Sequence, residues 1–348
     1  MKGRNYGIDL LRLVLMYMVC LLHTLGQGGI LDAAVPGSAS FGIYWLLETF
    51  AYSSVDSFAM ISGYTASGKP QRYGRIVELW FQVFFYSFVL TAVFTLAGLN
   101  PDRGPRSLIH SALPVITGEY WYFTAYVALF FAMPLLDRFL LSANEDTARR
   151  SLIVIGVLYS GFGVLTDPFQ SMGGYSAIWI IVLYCAGALA RRARLFESRR
   201  GITLIVVWAL CMLIGWSVKM TTGIGRLINY VSPTVALPAI IMVVLFARLK
   251  PNPKFVQALS PLAFGVYLFQ LNPVVWAQLL GAFTFVAAMP PLTGVLCALG
   301  LALGIFLAGL AVEFLRSHLA KLLQINRLSQ LIADKASRGI DKLLFLLK

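Results

Sequence analysis

Long apolar runs separated by short polar segments dominate the chain. A helix needs about 20 apolar residues to cross a hydrocarbon core. On that ruler ten spans are predicted, at roughly 8–26, 42–66, 77–98, 121–140, 151–167, 174–190, 202–219, 231–248, 262–285 and 292–315. The second and ninth are long enough to tilt or break. Leu108 to Gly118 is also apolar, but Pro114 and Gly118 make it a surface or re-entrant helix rather than a span. The expected fold is therefore all-α, a polytopic membrane protein. From Ser317 onward leucine and isoleucine recur at helical spacing with lysine and arginine between them. This predicts a membrane domain over 1–316 and a basic amphipathic tail over 317–348. The tail is expected to lie on the anionic inner leaflet, with a dimerisation arm, and hence a homodimer, as the alternative.

Composition and charge fit this picture. Of the 348 residues, 59% are apolar and 12% charged, with a formal net charge of +13. So basic a chain raises nucleic acid as a partner. The basic residues fall instead in short loops between spans, where topology explains them. With the N-terminus inside, 23 lysines and arginines face the cytoplasm and four (Arg103, Arg106, Lys219 and Arg226) face outward. Both termini are then cytoplasmic, and a multi-pass cell membrane protein, such as one of a bacterial inner membrane, is the expected setting. The first apolar run carries Arg12 and lacks a small-residue cleavage site, so it is expected to be a retained span. The four cysteines each sit in an apolar run and form no CxxC pair, which indicates neither a disulfide framework nor a zinc site.

Ionisable groups inside spans are costly and mark function. Arg12 and His23 share the first span with ten residues between them. About three helical turns separate them, so they lie on nearly one face, roughly 16 Å apart. Arg12 is toward the cytoplasmic side and His23 toward the outer side. Asp56, in the second span, has two possible partners: it orients a ring nitrogen of His23, or it neutralises Arg12. Glu48, Asp9 and Glu78 are the other acids close to the membrane, and Asp9 is placed for an i,i+3 pair with Arg12. The first cytoplasmic loop carries Lys69, Arg72 and Arg75. The two arginines, three apart at a helix start, share a face that suits phosphate oxygens, though composition alone favours ordinary positive-inside charge. His110 and His318 lie outside the spans. No metal-ligand spacing is present.

Several stretches in order carry a family resemblance. They are Arg12 to His23; Phe58 to Gly63, F-x-x-x-S-G, preceded by Val55-Asp56; the R-x-x-R pair Arg72 and Arg75; the aromatic run Glu119 to Leu136 with its Pro134; Asn229 to Leu237; and Ser260 to Gln270. The chain resembles the acyltransferase-3 family of membrane acyltransferases over most of its length. One departure is Gln270, where many relatives carry histidine. The resemblance implies a ten-helix core that uses cytoplasmic acyl-CoA, commonly acetyl-CoA, as co-substrate. It implies O-acylation of a hydroxyl on an envelope glycan, a lipid-linked saccharide or a similar acceptor. Carried to matching positions, His23 becomes the base, Arg72 and Arg75 contacts to CoA phosphates with Lys69 beside them, and Arg12 a buried positive group on the donor path.

A base near neutral pKa suits acyl transfer to a hydroxyl. Trp121, Tyr122 and Asn272 are candidate donors to an oxyanion, and Ser62 and Cys20 are the nucleophilic side chains nearby. A transporter or flippase that uses the buried arginine, histidine and aspartate as a pathway is the rival class, and it would favour discontinuous helices in two matching halves. The sequence shows no such internal symmetry.

Overall fold

The computed structural model describes the backbone of residues 4–100 and 105–346, and side chains over 4–100 and 106–339. Lys2, Arg103, Lys348 and the side chain of Lys342 fall outside the described residues. Among the described residues the protein is helical, without strands. In chain order the principal helices are α1 Tyr6–Leu25, α2 Ala39–Ala66, α3 Tyr73–Leu96, α4 Trp121–Ser142, α5 Glu145–Leu165, α6 Ala177–Arg192, α7 Gly201–Thr222, α8 Arg226–Ala247, α9 Pro253–Gln270, α10 Pro273–Ala288, α11 Pro291–Leu322 and α12 Ile325–Leu346. The Leu108–Gly118 stretch yields only a short helix, Pro105–Ala112.

Seven of these helices are long and apolar enough to cross a bilayer, and the bent pair α9–α10 makes up to eight. The ten expected spans otherwise map onto α2 and α6, which fall short for different reasons. Helix α6 has only 16 residues. Helix α2 has 28, but Glu48, Ser53, Ser54, Asp56 and Ser57 are buried along it. Such a helix has no lipid-facing stripe to give it apolarity, because its neighbours enclose it. Its closest neighbour is α6: a Cβ on Gly63 would fall 1.8 Å from the Tyr184 carbonyl oxygen, and one on Gly187 would fall 2.1 Å from that of Met60. Small residues are what let two membrane helices touch backbone to backbone.

Local chemistry starts and breaks these helices. Asn5 Oδ1 accepts from the Ile8 amide at 3.1 Å and caps α1; Ser38 and Ser176 cap α2 and α6 in the same way. Helix α3 contains a π-helical turn at Phe85–Val89. The ninth expected span does break: α9 and α10 meet at 73° across Leu271-Asn272. Asn272 holds that corner. Its Oδ1 accepts from the amides of Val274 and Val275, and its Nδ2 donates to the Tyr86 carbonyl at 2.8 Å and to Thr91 Oγ1 at 3.1 Å. The corner of α9–α10 is thus tied to the π turn of α3.

Helix α11 runs to Leu322, past the expected end of the last span, and α12 begins three residues later. Helix α12 packs along the N-terminal half of α3, with Ser329 and Ala333 buried and Gln330 against Gly74. Leu328, Leu331 and Ile332 stay exposed. A Cβ on Gly74 would sit 2.5 Å from Gln330 Oε1. Gly74→Leu is therefore expected to raise amide hydrogen exchange across α12 while the spans stay protected. Unchanged protection would mean that the tail is held by something other than this contact.

Candidate active site

Asp9, Arg12, Met16, Val19 and His23 form one stripe along α1, and that stripe lines a cavity of about 500 Å³. The opposite wall comes from Val55 and Phe58 of α2, Trp121 and Tyr122 of α4, and Phe264 and Tyr267 of α9. Arg4 and Arg75 close one end, and Tyr175 and Tyr230 stand at the other. One space therefore joins the basic end of the molecule to the histidine.

At the basic end Asp9 bridges two arginines. Its Oδ2 accepts from Arg4 Nε and its Oδ1 from Arg12 Nη1, both at 2.5 Å. Two guanidiniums share one carboxylate, so this end keeps net positive charge. Arg75 adds another cation, paired with Glu78 at 3.0 Å. Arg72 and Lys69 are exposed and do not line the cavity. Arg72 is the N-cap of α3 in an extended conformation (φ −112°, ψ 90°). It precedes the helix, so the face expected for Arg72 and Arg75 together does not form.

His23 sits in the last turn of α1. Its Nδ1 lies 3.1 Å from Gln270 Oε1, and its ring meets Trp276 edge-on with centroids 5.0 Å apart. Gln270 is fully buried, and its Nε2 points to the Met16 sulfur at 4.0 Å. That leaves Oε1 as the acceptor for an Nδ1–H, and Nε2 of the imidazole carries the free lone pair. The chain after α1 fixes this geometry. Gly281 donates to the Gln27 carbonyl at 2.8 Å and Phe283 to that of Gly28 at 2.9 Å, binding the end of α1 to the segment that follows the α9–α10 corner.

Asp56 takes neither expected partner. Its Oδ1 accepts from Trp179 Nε1 at 3.0 Å, between α2 and α6, and it does not line the cavity. Arg12 is satisfied by Asp9, one turn away on α1, and His23 by Gln270 of α9. Asn272 also departs from its expected role: both N–H groups of its amide are engaged at the corner, so it has no donor for an oxyanion. Ser62 donates to the Phe58 carbonyl at 3.4 Å and lines a second cavity of about 210 Å³ with Arg12 and Tyr122. Cys20 is fully buried. Trp121 and Tyr122 do reach the cavity, stacked edge-on with centroids 5.5 Å apart.

The sequence reading passed over Tyr175 and Tyr230. Tyr175 follows Gly173 and Gly174, both at positive φ (63° and 104°). A Cβ on Gly174 would fall 2.4 Å from Tyr230 Cβ, so the glycine lets the loop press onto α8. Asp167 Oδ1 holds the same loop by accepting from the Ser171 amide at 2.8 Å. Tyr175 then contacts Trp121 (4.9 Å) and Tyr230 (5.2 Å) ring to ring. Burial raises the Tyr175 phenol above its ordinary pKa; its hydrogen bond with Tyr230 opposes that rise and the Glu48 carboxylate adds to it. The paired glycines before a tyrosine were the visible signal.

A model of the acyltransferase-3 family, described as an acyltransferase domain, matches residues 5–310. The chain belongs to the acyltransferase-3 family. No curated protein and no solved structure matches the chain. The matched range takes in α1 to α10 and most of α11, and so includes every residue lining the cavity except Arg4. This acyltransferase is a multi-pass membrane protein, and its cavity joins cationic groups at one end to a histidine with a free ring nitrogen.

Proposed function

We propose that this acyltransferase takes an acyl group, acetyl in the simplest case, from cytoplasmic acyl-CoA and places it on a hydroxyl of an envelope saccharide or similar acceptor. The observation that carries this reading is the continuity of the cavity from Arg4, Arg12 and Arg75 to His23. The polyanionic nucleotide stays at the cytoplasmic end, where guanidiniums meet phosphates. The pantetheine arm and thioester extend along the α1 stripe. About 16 Å of helix separates Arg12 from His23, a span that an extended arm covers and a nucleotide need not. The acceptor hydroxyl arrives from the outer side. His23 Nε2 takes its proton as its oxygen attacks the thioester carbonyl; the C–S bond breaks, and the CoA thiolate leaves with a proton returned from the imidazolium. Gln270 holds Nδ1–H throughout, so the same nitrogen serves both transfers.

Vesicle sidedness tests the donor side. In inside-out vesicles of a bacterial inner membrane holding the protein, labelled acetyl-CoA is expected to transfer label to membrane material; sealed right-side-out vesicles are expected to transfer none. No labelling in the inside-out vesicles would reject acetyl-CoA as donor, and equal labelling would reject a cytoplasmic donor site. The arginines are separable. Arg75→Ala is expected to raise the KM for acetyl-CoA about tenfold, a loss of roughly 1.4 kcal/mol in the range of charge-assisted contacts. Arg72→Ala and Lys69→Ala should change it less than twofold, because neither side chain reaches the cavity. A larger effect at Arg72 than at Arg75 would move the phosphate site out to the loop.

A further inference from the structure

Attack on a thioester carbonyl puts negative charge on its oxygen, and that charge needs donors already in place. The α9 wall of the cavity holds one. Tyr267 lines the cavity, is 8% exposed, and its hydroxyl has no hydrogen-bond partner among the described residues. A buried hydroxyl left unpaired is costly, so an acceptor from outside the chain is expected. The start of α4 faces it. Trp121, Tyr122 and Phe123 open that 22-residue helix, and none of their N–H groups meets an acceptor among the described residues. The first bond of the helix runs from Thr124 to the Tyr120 carbonyl at 3.0 Å. Tyr120, the N-cap, supplies no side-chain acceptor. Its hydroxyl instead donates to the Leu268 carbonyl at 3.2 Å, which pins the start of α4 against the turn of α9 that carries Tyr267. The Tyr267 ring lies 6.1 Å from those of both Tyr120 and Tyr122. The Tyr122 N–H is directed at the Tyr267 oxygen without meeting it in hydrogen-bond geometry.

We infer that the Tyr267 hydroxyl and the Tyr122 backbone N–H form the oxyanion hole of this acyltransferase, one O–H and one N–H converging on a single substrate oxygen. This deepens the proposed function and rests on it for the thioester. Position along α9 supports the assignment. Tyr267 is three residues before Gln270, so the two share a face, about 5 Å apart along the helix. Gln270 Oε1 in turn holds His23 Nδ1 at 3.1 Å. The donor and the base therefore belong to one stretch of the cavity. In the reaction the acceptor oxygen bonds to the carbonyl carbon, and the C=O π pair moves onto the carbonyl oxygen, where the two donors hold the charge. When the C–S bond breaks, that pair returns and C=O forms again; the proton stays on Tyr267 throughout. The Tyr122 N–H stands at the positive end of the α4 dipole, which adds to the field on the oxyanion. Phe264 stacks on the Tyr267 ring at 5.9 Å and limits how far the hydroxyl can swing. Aromatic walls also keep the local dielectric low, where such donors act most strongly.

The test uses membranes holding the full chain, with labelled acetyl-CoA as donor and membrane material as acceptor. Tyr267→Phe loses only the oxygen. It is expected to lower kcat about 10²-fold, as the loss of one oxyanion donor does, while the KM for acetyl-CoA moves less than twofold. Its melting temperature should not fall, because the hydroxyl has no partner to lose. A merely structural hydroxyl would give the reverse, a lower melting temperature with kcat little changed, and that result overturns the inference. In place of Tyr267, 3-fluorotyrosine carries a more acidic hydroxyl and should raise kcat about threefold, since a better donor stabilises the oxyanion more. If Tyr267→Phe does not fold, the fluorotyrosine protein decides, and an unchanged kcat there overturns the inference. Label that stays on the 263–270 segment after denaturation would make Tyr267 a nucleophile and also overturns it. If the wild type transfers acetyl and Tyr267→Phe matches its kcat, the donor reading stands and the oxyanion hole is rejected. If the wild type transfers none, the proposed donor is rejected and the oxyanion hole with it.

Discussion

Membranes containing His23→Ala are expected to transfer label from acetyl-CoA about 10²–10⁴-fold more slowly than wild type, the range that a positioned general base contributes. The variant should fold. His23 makes one side-chain hydrogen bond and one ring contact, both at the cavity wall, and alanine leaves the α1 backbone intact. Its accompanying variant is Gln270→Leu, which keeps the volume and removes the Nδ1 partner. The imidazole is still present, but neither its tautomer nor its orientation is then held, and the form with Nε2 protonated cannot accept a proton there. The loss should be smaller, about tenfold, and should fall in kcat rather than in the KM for acetyl-CoA. Gln270→His should recover part of it, because a second imidazole can accept the same Nδ1–H. Equal transfer by wild type and His23→Ala would end the assignment of His23 as the base. A Gln270→Leu enzyme with wild-type kcat would show that the tautomer is held elsewhere.

The stripe that carries this chemistry was legible because helical spacing alone puts Arg12 and His23 on one face. What each group pairs with was legible only in part. Sequence placed Asp9 for an i,i+3 pair with Arg12, and set Asp56, the acid of the neighbouring span, against Arg12 or His23. The fold forms the Asp9–Arg12 pair and gives Asp56 the indole of Trp179. Partner choice depends on how α2 is rotated about its axis, and a helix that is polar along its buried length offers no apolar stripe to set that rotation. The same enclosure explains why α2 was legible as a span yet falls short on apolarity in the structure. Gln270 was flagged only as a departure from a family pattern; its contact with His23 spans 247 positions of sequence and depends on the α9–α10 corner. Arg72 and Arg75 show the limit of spacing arguments. Three residues apart implies one face only when both are in the helix, and Arg72 is its cap.

The second large effect is on folding, at the crossing of α2 and α6. Gly63→Val and Gly187→Val are each expected to remove most of the folded protein from the membrane. A Cβ at either position would meet a backbone carbonyl oxygen, at 1.8 Å and 2.1 Å, and backbone cannot rotate away as a side chain can. Overpacking in a membrane or soluble core costs about 1–3 kcal/mol when side chains can adjust. Here the helices themselves must part, so about 3 kcal/mol or more is expected, enough to unfold a marginally stable domain. The damage should spread. Asp137 of α4 accepts from Tyr184 of α6 at 2.7 Å and from Ser67, just after α2, at 3.0 Å, and Asp56 of α2 holds Trp179 of α6. Parting α2 from α6 breaks the Asp56–Trp179 bond and leaves Asp137 able to keep only one of its two partners. Gly300→Val, in α11, where an added Cβ would meet nothing within 4 Å, is the matched control and should express and melt like wild type. Fluorescence-detected size exclusion after heating reads both outcomes. Wild-type melting of Gly63→Val would mean that the two helices do not cross backbone to backbone, and with that the placement of Asp56 against Trp179 would fall.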